Sequence, residues 1–170
     1  MKKILLLLVC CLSVSAAFAQ MEEAGFAEKL FKACIADNRD AFLAFRPTKE
    51  QLGRYMKESV PGDTITPQML TGAYDFQLDK ALLGYNTFQE AVAALGINPK
   101  DCKVTNTSNE ISDSELKKGD KVVGLAKSKD IVVYFTSGKK NYAFLVSGAI
   151  KIDGKWYLGS QPVGISDMNK

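Results

Sequence analysis

The sequence predicts an α+β chain: N-terminal helices packed on a curved antiparallel C-terminal sheet of four to five strands. Up to Gly96 the apolar residues recur at three- and four-residue spacing, as on one face of a helix. From Lys121 to Ser160 they alternate, or run continuously, between clusters of turn residues. Helices come first and strands afterwards, without the interleaving that a parallel α/β sheet requires, and 170 residues suffice for a single core.

The first residues read as an address. Lys2 and Lys3 precede an apolar run from Ile4 to Leu12 that is too short to span a bilayer, and Ala17-Phe18-Ala19 offers a small-x-small cleavage site. Residues 1–19 are therefore expected to be a signal peptide, followed by one domain over 20–160 and a loosely held tail over 161–170. Anchoring as a lipoprotein through Cys10 or Cys11 is disfavoured, because neither follows a small residue. Without Lys2 and Lys3, 20 basic and 19 acidic side chains remain. That balance argues against nucleic acid as a partner.

Taken in order, Phe26, Leu30, Phe31, Cys34 and Ile35 mark an amphipathic helix from Ala24 to about Ala36. Asp37-Asn38-Arg39-Asp40 breaks it, and Asp40 is placed to cap a short turn carrying Phe42, Leu43 and Phe45. Thr48 with Gln51 forms a capping box for a helix to Lys57, stopped by Pro61-Gly62-Asp63. Thr66 before Pro67 starts a third helix, and a Thr87/Glu90 capping box is expected to start a separate fourth one from Phe88 to Leu95, with Gly96 as its left-handed cap. Residues 102–111 read as a polar edge strand and 112–120 as a loop or a single helical turn.

Four strands are then expected, divided at Ser128-Lys129-Asp130, at Ser137 to Lys140 and at Asp153-Gly154, the last suited to a type I′ hairpin. In Ile131 to Thr136 both alternating sets are apolar, which suggests a central strand covered on both faces. Gly148 inside the next strand marks a bend.

Cys34 and Cys102 are the thiols that remain after the signal segment, and in an oxidising compartment they are expected to form one disulfide; the competing expectation is two unpaired core cysteines. The chain has no His, and two thiols are too few for structural zinc, so no metal or cofactor is expected.

The layout resembles the cystatin-like α+β cone of the nuclear-transport-factor-2-like superfamily. The residues that carry the likeness are the closing Lys151-Ile152-Asp153-Gly154-Lys155-Trp156-Tyr157-Leu158-Gly159 and, after the first helix, Ala36-Asp37-Asn38-Arg39-Asp40-Ala41-Phe42. The latter is similar to a segment of small secreted versions common in Gram-negative bacteria, which implies a periplasmic location. The resemblance implies a fold more than an activity, because that superfamily hosts enzymes, carriers and interaction modules. Its enzymes place an Asp/His or Asp/Tyr pair in the cone, and this chain has no His.

Candidate residues follow. Tyr74, Tyr85, Tyr134, Tyr142 and Trp156, with Phe144, form an aromatic set that could line the mouth of a cone and hold a planar or apolar ligand. Asp75 and Asp79 share one helix face and are the nearest approach to an acid/base pair. Serines lack a His partner, and no glycine-rich loop precedes a helix.

The leading expectation is thus a secreted, non-catalytic module that binds a small molecule, a peptide or a protein, with no membrane span. One alternative is an enzyme using Asp75 or Asp79. Another is a structural envelope subunit that dimerises through the open face of its sheet. Intact mass of the exported protein should correspond to a chain beginning at Gln20; a mass that retains residues 1–19 would refute the cleavage.

Overall fold

The computed structural model describes residues 24–59, 64–118, 121–159 and 163–169, side chains between 109 and 127 excepted. The expected signal peptide and the expected Pro61-Gly62-Asp63 stop lie outside the described residues. Helix α1 covers residues 24–35 and buries Phe26, Ala27, Leu30, Phe31 and Cys34 along one face. It ends in a Schellman arrangement: Asp37 has φ 52°, its N–H donates to the Cys34 carbonyl, and the Asn38 N–H donates to the Ala33 carbonyl. Asn38, not Asp40, then caps α2 (Arg39–Leu43), its side chain accepting from the Ala41 N–H. The cap sits two residues earlier than expected because the same residue closes one helix and opens the next.

Helix α3 (Lys49–Ser59) begins with the expected capping box: the Thr48 N–H donates to Gln51 Oε1 at 2.8 Å and the Gln51 N–H to Thr48 Oγ1 at 3.3 Å. Thr66 caps α4, with Pro67 in the first turn. Here one expectation fails. Instead of two helices, α4 runs unbroken over Pro67–Ala94. Gln77, Ala81, Gly84, Tyr85, Phe88 and Val92 form one buried stripe through the expected break, and a capping box has no role where the preceding turn already supplies the carbonyls. Gly96 (φ 63°) ends the helix, with Ile97 N–H donating to the Val92 carbonyl and both side chains buried.

The sheet is antiparallel and curled into a half-barrel, so the α+β, cone-like class is the one observed. Its strands are β1 (Cys102–Lys118), β2 (Lys121–Ser137), β3 (Lys140–Ile152), β4 (Lys155–Tyr157) and β5 (Val163–Asp167). β1 pairs β2 and β2 pairs β3, while β4 and β5 share the far edge of β3, at Ile150–Ile152 and Tyr142–Val146 respectively.

Three local expectations are corrected. Residues 112–118 extend β1 rather than forming a loop, because they continue its register with β2. Ser128-Lys129-Asp130 does not turn, so 121–160 supplies three strands rather than four. The expected tail provides β5, whose Val163 is buried against the edge that the short β4 leaves open.

The bend at Gly148 is present and has a partner. Lys129 pairs with Ala149 and Ile131 with Val146, so Ser147 and Gly148 together oppose Asp130. Gly148 has φ 64° and donates its N–H to Asp130 Oδ1 at 2.8 Å. Asp153 (φ 50°) and Gly154 (φ 78°) form the two-residue turn before β4.

Ile131, Val133 and Phe135 of β2 and Tyr142, Phe144 and Val146 of β3 point at the helices and are buried. Phe31 lies between Phe135 (4.5 Å) and Phe144 (5.5 Å), and Phe88 meets Phe144 edge-on at 5.3 Å. The opposite face carries Val132 and Tyr134, half-buried, and Leu145, exposed. β2 is central, as expected, but its two faces are buried unequally.

A cluster of hydrogen bonds ties the helical half to the end of the sheet. The Leu158 N–H donates to the Phe45 carbonyl (2.9 Å), and its carbonyl accepts from Gln77 Nε2 (2.7 Å) on α4. Gln51 Nε2 donates to the Tyr157 hydroxyl (2.7 Å), and Arg54 pairs with Asp153. Next to this clamp Gly159 lies on the Gly148 carbonyl, where an added Cβ would fall onto the oxygen.

Gly159→Ala should lower the urea midpoint by the equivalent of about 3 kcal/mol or prevent folding, whereas Gly164→Ala, with nothing near its Cβ position, should change stability by less than about 0.5 kcal/mol. Equal effects would refute the close approach. Gln77→Ala, which strands the buried Leu158 carbonyl, should cost about 2 kcal/mol.

Candidate functional site

The five aromatic residues singled out in the sequence are distributed over separate places. Tyr85 is a core residue, 3% exposed, packed on Phe42 at 5.1 Å, with its hydroxyl donating to Asp37 Oδ1 at 2.7 Å. Burial and then the Asp37 carboxylate raise its pKa. Tyr74 is half-buried on α4; the Arg46 guanidinium stacks 4.6 Å from its ring centroid and donates to its carbonyl.

Tyr134 and Tyr142 do meet. They line a cleft of about 340 Å³ with Thr105, Asn106, Phe135, Asn141 and Met168. Thr105 and Asn106 reach it because the β1–β2 register shifts between Val104 and Asn106. Tyr142 is nevertheless 2% exposed and stacked on Phe135, so most of its ring belongs to the core.

Trp156 lies at a different site. A groove of about 440 Å³ is lined by Gly25, Phe26 and Lys29 of α1, Phe45 after α2, and Gly154, Lys155 and Trp156 of the closing hairpin. Phe26 and Phe45 meet edge-on at 5.7 Å, and Trp156 completes an aromatic wall. Lys129 and Lys151 set their ammonium groups 5.6 and 5.5 Å from the centroid of the indole ring. Four cationic side chains therefore attend one aromatic groove: Lys29 and Lys155 line it, and Lys129 and Lys151 lie over the ring of its Trp. The Trp156 Nε1–H is buried and meets no acceptor among the described residues.

Sequence reasoning selected Trp156 but missed its company. Phe26 reads as part of a buried helix face, Phe45 as part of a short apolar turn, and nothing singles out Lys29; only the spacing Lys151-x4-Trp156, with Lys155 beside it, signals cations around an aromatic. Chemically the groove offers an apolar floor and positive charge at its rim, and its described lining residues include no carboxylate, thiol, hydroxyl or imidazole. Asp75 and Asp79 lie on the exposed side of α4 and line neither cavity.

The expected Cys34–Cys102 disulfide is not formed; both thiols are free. Cys34 is fully buried on the core face of α1, and this burial raises its thiol pKa far above the ordinary range. Cys102 is half-buried at the start of β1, donating its thiol to the Asn98 carbonyl at 3.4 Å, and its pKa is raised, first by burial. Among the described residues no group of three or more His, Cys, Asp or Glu side chains could hold a metal, and no helix is long and apolar enough to cross a membrane. Comparison with protein-family models, curated proteins and solved structures yields no match to this chain.

A thiol reagent added to the native protein should label Cys102 first, more slowly than a fully exposed thiol, and Cys34 only after denaturation; simultaneous labelling, or none before reduction, would contradict this arrangement. Cys34 and Tyr85 both hold their protons to higher pH in the folded state. Their stabilising contribution is complete below the unfolded thiol's pKa of about 8.5 and is lost as pH rises beyond it, with tyrosine adding to the loss above about 10. Urea midpoints should therefore fall steadily from pH 8 to 11, more gently at the upper end in Tyr85→Phe; a flat profile in the parent protein would refute the coupling.

Proposed function

We propose that the protein is a binding module whose site is the groove at Trp156, and that its ligand is a small molecule with a flat apolar body and an anionic group. The observation that carries this reading is that Lys29 and Lys155 line a groove walled by Phe26, Phe45 and Trp156. An apolar body would cover aromatic surface at about 25 cal/mol per Å². An anion at the rim would gain from the two lining ammonium groups of Lys29 and Lys155, and in a partly enclosed groove it would be screened less than on an open surface. The second cleft, at Tyr134, has aromatic and amide groups but no charged residue in its lining, so it gives less basis for selecting a ligand.

The same reading takes the chain to be exported to the periplasm and related to the nuclear-transport-factor-2-like superfamily. Supporting this are the signal-like N-terminus and the cone-like arrangement of helices on a curled sheet.

Trp156 is the only tryptophan, so its emission reports on this groove alone. Titration with 2-naphthalenesulfonate should quench or shift that emission saturably. The neutral 2-naphthol and a cationic naphthylmethylammonium should bind at least about tenfold more weakly, a difference of about 1.4 kcal/mol. A Lys29→Glu, Lys155→Glu double variant should lose about the same factor. No saturable change, or one indifferent to ligand charge, would overturn the proposal.

A further inference from the structure

Among the described residues that line the cleft at Tyr134 none is charged, and this narrows what the cleft can hold. Asn106 pairs with Tyr134 across β1 and β2, and Tyr134 with Ala143 across β2 and β3, so these side chains stand on the sheet face turned away from the helices. Asn141 and Met168, each two residues from the paired Ala143 and Ser166, share that face. Thr105, the extra residue at the register shift, brings a hydroxyl to the rim.

The polar groups here are largely uncommitted. Asn106 Oδ1 accepts from the Thr107 N–H at 2.9 Å, which leaves its NH2 group available. Asn141 engages Asn169 through its backbone N–H and carbonyl, and its side-chain amide has no partner among the described residues. The Tyr134 hydroxyl has none among them either. Thr105, Asn106 and Asn141 are exposed, so their hydrogen bonds go to water, which a ligand would displace.

Different ligand chemistries fare differently against this lining. An ion would be desolvated with no opposite charge to meet it; Lys103 stands beside Thr136, outside the lining. A purely apolar molecule would cover Tyr134 but leave the amides around it unpaired. A neutral ring with an apolar C–H face and a rim of hydroxyls has neither deficit, because the face covers the phenol ring and each hydroxyl, both donor and acceptor, meets an amide. A pyranose sugar has that form. Strand spacing and rise set the Asn106 and Asn141 backbones roughly 12 Å apart on either side of Tyr134, so their amides reach opposite edges of one ring. The volume of about 340 Å³ lies near the lower end of the roughly 300–1,000 Å³ of small-molecule sites.

We propose that this cleft is a second binding site, for an uncharged pyranose that lies on Tyr134 and exchanges hydrogen bonds with Asn106, Asn141 and Thr105. It is independent of the groove at Trp156. A two-sided planar ring such as a nucleobase is served less well, because Tyr142, the other ring at the cleft, is stacked on Phe135 in the core. One sugar ring in an open cleft binds weakly, with a dissociation constant on the order of 1 mM.

The test is saturation-transfer NMR on the purified protein with the methyl β-pyranosides of glucose, galactose, mannose and N-acetylglucosamine as probes. At least one should bind saturably with a dissociation constant below about 20 mM, with transfer concentrated on the C–H protons of one sugar face and Trp156 emission unchanged. Asn106→Ala and Asn141→Ala, at exposed positions, should each weaken binding about fivefold, and Tyr134→Ala at least about tenfold. Tyr134→Phe keeps the ring and should hold affinity within about threefold. Thermal midpoints establish that each variant is folded, and the two Asn variants decide the matter if Tyr134→Ala is not. No probe binding below about 20 mM, or binding indifferent to both Asn variants, would overturn the proposal. So would tighter binding of methyl glucuronide or adenosine than of every neutral glycoside. Trp156 emission that follows the sugar titration would place the sugar in the other groove and overturn it as well, whereas failure of the naphthalenesulfonate titration at Trp156 would leave this site untouched.

Discussion

The junction at Leu158 is the constraint on which the two halves of the molecule depend. Its N–H and C=O leave β4 with no further strand to pair in line, and both are taken up by the helical half, by the Phe45 carbonyl and by Gln77. With the Leu158 side chain itself buried, an unpaired amide here would cost more than an average hydrogen bond contributes. Gln51 to Tyr157 and Arg54 to Asp153 add further contacts around it, the latter on the surface and correspondingly weaker.

From this clamp the geometry of the groove follows. Holding Leu158 against Phe45 brings the Asp153-Gly154 turn and Trp156 over the first turns of α1, so that Gly25, Phe26 and Lys29 become the opposite wall. The bulge at Gly148 serves the same arrangement. By turning β3 between its two edge partners it lets β4 and β5 occupy one edge in succession, and Gly159 crosses directly over the bend. The site is therefore a product of the seam between helices and sheet rather than of the concave interior, which Phe31, Phe88, Phe135 and Phe144 fill.

α4 connects these regions mechanically. One side supplies Gln77 to the clamp and Ala81, Tyr85, Phe88 and Val92 to the core; the other bears the apolar line of Met69, Phe76 and Leu83. Because the helix is continuous, its outer face keeps a single phase over its whole length, which two shorter helices would not ensure. The core stripe and the outer line are consequences of the same unbroken period.

Much of the local structure was legible in the residues themselves. The Thr48/Gln51 box, the Thr66-Pro67 start, the Gly96 cap, the Gly148 bend and the Asp153-Gly154 turn were all readable. All but the Gly148 bend, which also takes its partner Asp130 from β2, depend on hydrogen bonds or φ values within about five residues, so local sequence suffices to specify them. Tertiary structure decided the rest: α4 passing through Thr87, β2 passing through Ser128-Lys129-Asp130, 112–118 and 163–167 becoming strands, and Cys34 remaining apart from Cys102. These outcomes turn on which sheet edge was open and which side chains lay across the core, both set by residues far away in the chain. The candidate site divides the same way. An aromatic next to lysines at Trp156 is written in the local residues; the packing of α1 and Phe45 on that hairpin made a groove of it, because burial and enclosure belong to neighbours in space.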